Sequence, residues 1–451
     1  ALVVTAILDL TIVASTAMVG PVAAVCAFAL GTYVISCLFL NAGFTAMLAA
    51  VSGITVLGDI DFDLIRAGKW ALVTAFGIMS LVRLGLAGGI RELKFDFVVK
   101  YFILYLGWGA LCSIFAVHPG GSLSFALMKF MFLAIYLLTL AFVNTRRDVN
   151  LVIGVLLVYV LASGLYSFAG LYHGSYTRFR GFLDNPNGFG AALSVVVPLL
   201  LAAYYIYTKR VTKLLFACGV TLGMLCIALC WSRGAWVANF VAAIVFLVME
   251  KRRKTLIALV TATAVISIIV ATSTSAFSVF YKVGRLQGGG TTHRTTLWNY
   301  ALRQIEESPI VGKGFELTND DVMGNVRGAD PITGYFLADR EIPFNPHSYY
   351  LLPTVATGIP GLLIFLYFFY NLFKSQYRGW RTAVDSRYRI LHAAMFSILA
   401  GTAIGFFVDS GLIMSSGSNA NYFWIALGLV TAINRKRLLD ETIPPLSIAP
   451  A

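Results

Sequence analysis

Apolar runs long enough to cross a bilayer follow one another along almost the whole of this chain, and that repetition limits its fold more than any other feature. A spanning helix needs ~20 mostly apolar residues. Such runs lie at 68–88, 97–117, 123–143, 150–172, 186–207, 212–231, 235–250, 255–273, 347–373, 388–409 and 418–434. Residues 1–58 hold further ones, their limits blurred by Gly20, Pro21, Gly31 and Gly53. One very large soluble core is the alternative, and it fails on two counts. Single cores stop growing near ~300 residues, whereas the chain has 451. Only 12% of its residues are charged, about half of the ~25% usual in soluble proteins. The expected fold is all-α and polytopic, with about 12–14 transmembrane helices. The first apolar stretch runs on into the next, so no separable leader is expected.

The formal net charge of +13 would suit nucleic acid if it formed one patch. Instead the basic residues sit in short clusters between spans: Arg91/Lys94, Arg146/Arg147, Lys209/Arg210/Lys213, Lys251 to Lys254, Lys374/Arg378/Arg381 and Arg435/Lys436/Arg437. Clusters at alternate span ends mark the cytoplasmic side of a membrane protein and meet anionic lipid there. No nucleic-acid partner is expected. The cysteines, Cys26, Cys37, Cys112, Cys218, Cys226 and Cys230, lie inside apolar runs without metal-ligand spacing, as small hydrophobes do.

With that sidedness, the long segment 274–346 falls on the outer face. A connection of about 70 residues is either functional or disordered. Order is expected, because Leu297, Trp298, Ala301, Leu302 and Ile305 share one helical face that Ser308-Pro309 ends. Gly288-Gly289-Gly290 reads as a hinge or a close approach. The chain thus divides into N-terminal spans (1–273), the outer loop with its amphipathic helix (274–346), C-terminal spans (347–434) and a cytoplasmic tail (435–451).

The outer face should be poor in arginine, yet it carries Arg178, Arg180, Arg233, Arg285, Arg294, Arg303, Arg327 and Arg340, with His118, His173, His293 and His347. Most of these arginines read as solvated loop residues. Three do not. Arg233 follows one span and precedes another within a few residues, so it is held at the membrane edge, where snorkelling is the bland alternative. Arg180 lies in a tight approach to the next helix, Arg180-Gly181-Phe182-Leu183-Asp184-Asn185-Pro186-Asn187. Arg294 opens the amphipathic helix, where backbone N–H groups already favour an anion. A guanidinium grips phosphoryl oxygens two at a time. His347 titrates near working pH and is the candidate general base, with capping of the next span as its bland alternative.

The stretches Arg180-Gly181-Phe182 with Asn185-Pro186-Asn187, Ser232-Arg233-Gly234-Ala235, and His293-Arg294-Thr295-Thr296-Leu297-Trp298 running to Pro309-Ile310-Val311-Gly312-Lys313-Gly314 resemble the O-antigen ligase and polymerase superfamily. His347-Ser348, followed after nine residues by Gly358-Ile359-Pro360-Gly361, is similar to the family's histidine motif. The resemblance implies a GT-C-like membrane glycosyltransferase in the bacterial inner membrane, with its site facing the periplasm. It implies transfer of a glycan from undecaprenyl pyrophosphate, with inversion and with neither metal nor cofactor. His347 would be the base, and Arg180, Arg233 and Arg294 would hold the pyrophosphate. Asp409 and Asn187 are candidates for binding acceptor or orienting the other groups, with helix capping the alternative for Asp409. Ligation of O-antigen to lipid A-core is the favoured activity, ahead of O-antigen polymerisation and transfer to protein. A transporter would want charge or broken helices at the midplane, whereas the charge read here lies at the outer rim. Asp59, Asp61 and Asp63 form the one candidate metal loop, but Arg66 and Lys69 stand close enough to pair with them as a solvated face.

The topology is directly testable. In a cysteine-free background, Arg252→Cys and Asp320→Cys should label from opposite sides with an impermeant thiol reagent. Equal labelling of both from the periplasm would overturn the placement of every candidate residue.

Overall fold

The computed structural model describes residues 96–172, 178–182, 185–272, 294–318, 321–322, 344–407 and 420–440. The described residues form helices α1 (Phe97–Ser113), α2 (Pro119–Met128), α3 (Phe130–Phe142), α4 (Arg146–Tyr172), α5 (Pro186–Ile206), α6 (Arg210–Leu229), α7 (Arg233–Met249), α8 (Arg253–Thr272), α9 (Arg294–Glu307), α10 (Leu351–Thr382), α11 (Ser386–Gly405) and α12 (Ala420–Lys436). Among the described residues, six stretches are long and apolar enough to cross a membrane: α2 with α3, α4, α5, α6, α10 and α11, with α1 and α7 as shorter apolar helices. The chain is an all-α polytopic membrane protein. The residues at 58–63, Gly288–Gly290 and Asp409 lie outside the described residues.

Local chemistry sets where these helices begin. The side chains of Asp96, Asn185, Ser232 and Asp385 each accept a backbone N–H from the first turn of α1, α5, α7 and α11. Both the core and the outer surface of the bundle are apolar. Leu104, Leu165, Leu214 and Leu363 point outward, as lipid requires, while aromatic rings fill the centre. Trp424 is fully buried, with the ring of Phe102 at 4.7 Å and that of Phe368 at 6.3 Å.

The basic clusters gather at one end of the bundle. Arg435 pairs with Asp96 at 2.6 Å, Lys436 donates to the carbonyls of Leu140 and Val143, and the Arg252 guanidinium lies 4.5 Å from the Tyr205 ring. His392, expected to be a packed polar contact near that end, meets Gln376 through Nδ1 at 2.8 Å. The opposite end carries the motifs.

Helix α10 breaks at Gly358 (φ 70°, ψ −178°), one residue before Ile359-Pro360. A break frees backbone groups, and within a membrane each must find a partner. Four such groups are met across the break. The carbonyls of Val355 and Ala356 accept from Lys313 N (2.7 Å) and Gly314 N (3.0 Å). Thr357 O accepts from Trp108 Nε1 at 2.8 Å, and Ile359 N donates to Pro309 O at 2.8 Å. The Pro309–Gly314 motif is therefore stitched to the Gly358–Gly361 motif by main chain. Trp108, which reads in sequence as an interfacial belt residue, closes the stitch.

A small core at this end, Leu297, Ala301, Leu317, Val322, Phe344 and Val355, packs α9 on the stitched segment and on the start of α10. The buried face of α9 is Leu297, Ala301 and Gln304, while Leu302 is 47% exposed. The expected apolar stripe is thus rotated by part of a turn toward Gln304.

At Gly358 a Cβ would stand 2.1 Å from Ile310 O, in a region of backbone space open essentially to glycine alone. Gly358→Ala should destabilise the protein by about 1–3 kcal/mol from backbone strain alone, read as a lower thermal midpoint in detergent. An unchanged midpoint would show that the break is not structurally required.

Candidate active site

Arg178 organises one half of the motif-bearing end. Its Nε donates to Cys230 O at 2.9 Å, and one terminal nitrogen donates to Trp231 O and to Asn187 Oδ1, each at 3.0 Å. These carbonyls belong to the turn between α6 and α7, where Trp231 takes a left-handed φ of 50° usually left to glycine. Phe179 N donates to Leu229 O at 3.1 Å, and Gly181 N to Ser167 Oγ at 2.8 Å. The Arg180 segment is thereby laid across the α6–α7 turn that presents Arg233. Arg180 and Arg233 are both half-buried, on adjacent connections. Asn187, expected to bind acceptor or orient the site, works here as the anchor of Arg178 at the start of α5. The sequence listed Arg178 among the outer-face arginines without separating it from them. Its spacing two residues before Arg180 was the signal available.

His347 and Arg294 form the other half. His347 lies between Pro346 and Ser348 with a left-handed φ of 52°, and its N–H donates to Asn345 Oδ1 at 2.8 Å. A non-glycine residue in this conformation costs ~1–2 kcal/mol, and such strain gathers at functional sites. The backbone on both sides is clamped. Trp298 Nε1 of α9 donates to Pro346 O at 3.0 Å, while Ser348 Oγ and Tyr349 N donate to Phe406 O at 3.2 and 2.8 Å. Burial, and then the positive charge of Arg294, push the His347 imidazole down to about 4. The imidazole is therefore neutral at working pH, with a lone pair to accept a proton.

The two halves share one end of the bundle. Helices α7 and α11 run side by side, with Gly401 against Ala238 O and the Ala242 side chain. Ala238 is five residues beyond Arg233, and Gly401 is five residues before Phe406, on which Ser348 and Tyr349 are hung. Arg180 and Arg233 on one side, and Arg294 and His347 on the other, thus share one end of the bundle, and the charge of Arg294 adds to burial in lowering the proton affinity of His347. Among the described residues no group of three His, Cys, Asp or Glu stands close enough to hold a metal ion.

A multi-pass α-helical membrane protein with arginines and one strained histidine at a single rim is the class that fold and site define. Within it, residues 218–366 match the model of a family described as O-Antigen ligase, a span that includes Arg233, Arg294 and His347 but not Arg180. The chain is also similar to a Rickettsia typhi protein named "Putative polysaccharide ligase", at 24% identity over 293 residues, covering 61% of this chain and 68% of that relative. The resemblance to O-antigen ligases is shown on these two comparisons.

The low proton affinity of His347 has a defined sign. The native imidazole resists protonation while the unfolded chain takes a proton near pH ~6.5, so stability falls as pH drops from there toward about 4. His347→Gln should flatten that decline in thermal midpoint. Arg294→Gln should raise the His347 midpoint in a histidine NMR titration, though not to its ordinary value, because burial remains. A midpoint unmoved by Arg294→Gln would separate the two groups.

Proposed function

We propose that this protein is an O-antigen ligase. It moves O-antigen polysaccharide from undecaprenyl pyrophosphate to lipid A-core oligosaccharide at the periplasmic face of the bacterial inner membrane. The reaction inverts the anomeric centre and uses no metal. The observation that carries this reading is the strained His347, clamped to the helix that Arg294 opens, inside the segment that matches the ligase family.

An acceptor hydroxyl attacks the anomeric carbon from the face opposite the pyrophosphate. The new C–O bond forms as the bond to pyrophosphate breaks, and the electron pair leaves on the phosphate oxygen. His347 takes the hydroxyl proton. Undecaprenyl pyrophosphate is a good leaving group, so positioning and charge stabilisation supply most of what the reaction needs. An imidazole near pKa 4 is a weak base. A pyrophosphate held by Arg294 offsets the charge that repels the imidazolium, so donor binding raises the proton affinity of His347 when a base is required.

Reconstitution with lipid-linked O-antigen and lipid A-core in excess EDTA tests the reading. Glycan laddered onto the core is the expected product, and elongated lipid-linked glycan would make the protein a polymerase instead. Activity that disappears in EDTA and returns with Mg²⁺ or Mn²⁺ would replace the metal-free mechanism. His347→Ala should lower turnover by ~10²–10⁴-fold and leave donor binding intact. Arg233→Ala and Arg294→Ala should weaken both, with Lys restoring only part, because an ammonium lacks the paired donors. Normal turnover by folded His347→Ala would remove it from the base role.

A further inference from the structure

At the basic end, two cations rest on neighbouring tyrosine rings. Tyr204 and Tyr205 stand in the last turn of α5, their ring centres 5.1 Å apart and their planes crossed at 79°. The Lys213 ammonium of α6 lies 5.1 Å from the centre of the Tyr204 ring, and the Arg252 guanidinium, between α7 and α8, lies 4.5 Å from that of Tyr205. Tyr205 in turn stacks at 6.1 Å on Phe246, which is fully buried in α7. Direct contacts therefore join three helices into one array.

Backbone geometry fixes where Arg252 starts. Helix α7 closes with Lys251 at a left-handed φ of 54°, Lys251 N donating to Val248 O at 3.1 Å and Arg252 N to Leu247 O at 2.8 Å. Glycine normally takes the left-handed position of this paired-bond ending. The last turn of α5 has no basic residue of its own, so the cations that suit its carbonyl end arrive from its neighbours. A cation anywhere nearby would serve that dipole, whereas two ring faces hold these in place. Stacking also leaves their donors available, because a guanidinium on a ring uses its face and keeps its N–H groups in its own plane. Among the described residues, neither Lys213 nor Arg252 pairs with a carboxylate. On either side of Lys213, the apolar Val211 and Leu214 are 72% and 64% exposed.

We propose that Lys213, Tyr204, Tyr205 and Arg252 form a seat for the phosphate of one anionic membrane phospholipid, whose chains lie along Val211 and Leu214. Two fixed cations with donors available suit phosphate oxygens. Tyrosine, with an apolar ring and a polar tip, belongs at the level of lipid headgroups. The exposed apolar side chains beside Lys213 favour a phosphate that carries chains over a free one. The general pull of basic clusters on anionic lipid is shared by every cation of this end, whereas the seat belongs to four residues. It is independent of the ligase reading.

Native mass spectrometry of the purified protein in detergent, with added phosphatidylglycerol or phosphatidylcholine, tests the seat. The protein should retain phosphatidylglycerol in preference to phosphatidylcholine, whose headgroup is zwitterionic; equal retention would overturn the proposal. Lys213→Gln and Arg252→Gln should each lower retention about tenfold, and Arg252→Lys should keep part of it. Lys213 is half-buried and Arg252 exposed, so both variants should hold their thermal midpoints in detergent. Lys254→Gln, in the same basic cluster but outside the array, should change retention by less than about twofold. Glu250 lies two residues before Arg252, its side chain 3% exposed and 3.8 Å from Arg389 Nε. Removing its charge in Glu250→Gln should raise retention about threefold. A fall instead would mean that a lipid ammonium is bound, and the proposal fails. Equal losses in Lys254→Gln and Arg252→Gln would reduce the seat to a general field, and unchanged retention in the Lys213 and Arg252 variants would remove it. Displacement of phosphatidylglycerol by inorganic phosphate would make the occupant a free anion and overturn the lipid assignment.

Discussion

Interrupting α10 at the buried Gly358 leaves carbonyls and an N–H without helical partners, and the arrangement of the motif-bearing end follows from how they are met. The Pro309–Gly314 segment supplies two N–H donors and one carbonyl to the break, and Trp108 of α1 supplies the last donor. Main chain bonded to main chain fixes the distance between two segments more tightly than side-chain packing does. Because α9 leads directly into the stitched segment, its position against α10 is set as well. Arg294 begins α9 and His347 precedes α10, so the spacing of the two functional groups depends on hydrogen bonds made about one helix-length away from either. Short-range strain at His347 is tolerable for the same reason: Trp298 and Phe406 hold the chain on both sides of it.

The spans were legible in sequence because their signal is composition over some 20 residues, which tolerates local error. Most helix limits fall within a few residues of the expected ones, and the N-caps at Asp96, Asn185 and Ser232 stand where Asx and Ser residues precede apolar runs. Relations between distant segments were not legible. Nothing in Gly358-Ile359-Pro360-Gly361 says that its freed carbonyls meet Lys313 and Gly314. Trp108 therefore read as a lipid-facing ring, although its indole N–H is committed to Thr357. The face of α9 was misjudged by part of a turn, since periodicity cannot tell that Gln304 rather than Leu302 faces the neighbouring segment.

Among the candidate residues, the sequence could not show how the arginines divide their labour. Arg178 and Arg180 are two positions apart and chemically identical, yet Arg178 is committed to two carbonyls and an amide oxygen. It holds three chain segments together, which is an architectural use of the guanidinium fork. Asn187 is drawn into that use as the acceptor. Tertiary contact alone separates a structural arginine from one available to substrate.

Arg233 and Arg294 stand at the first positions of α7 and α9, and a cation at a helix N-terminus opposes the macrodipole at a cost of ~0.3–1 kcal/mol. Arginines also open α4, α6 and α8, but those helices start at the basic end, where anionic lipid compensates them. At the motif-bearing end no such lipid field is expected. A diphosphate bound there would reverse the sign of each contribution: it meets the guanidinium, aligns with the helix dipole and lifts the repulsion that holds His347 unprotonated. On the proposed function, the same ligand would complete the electrostatics of the rim and ready the base.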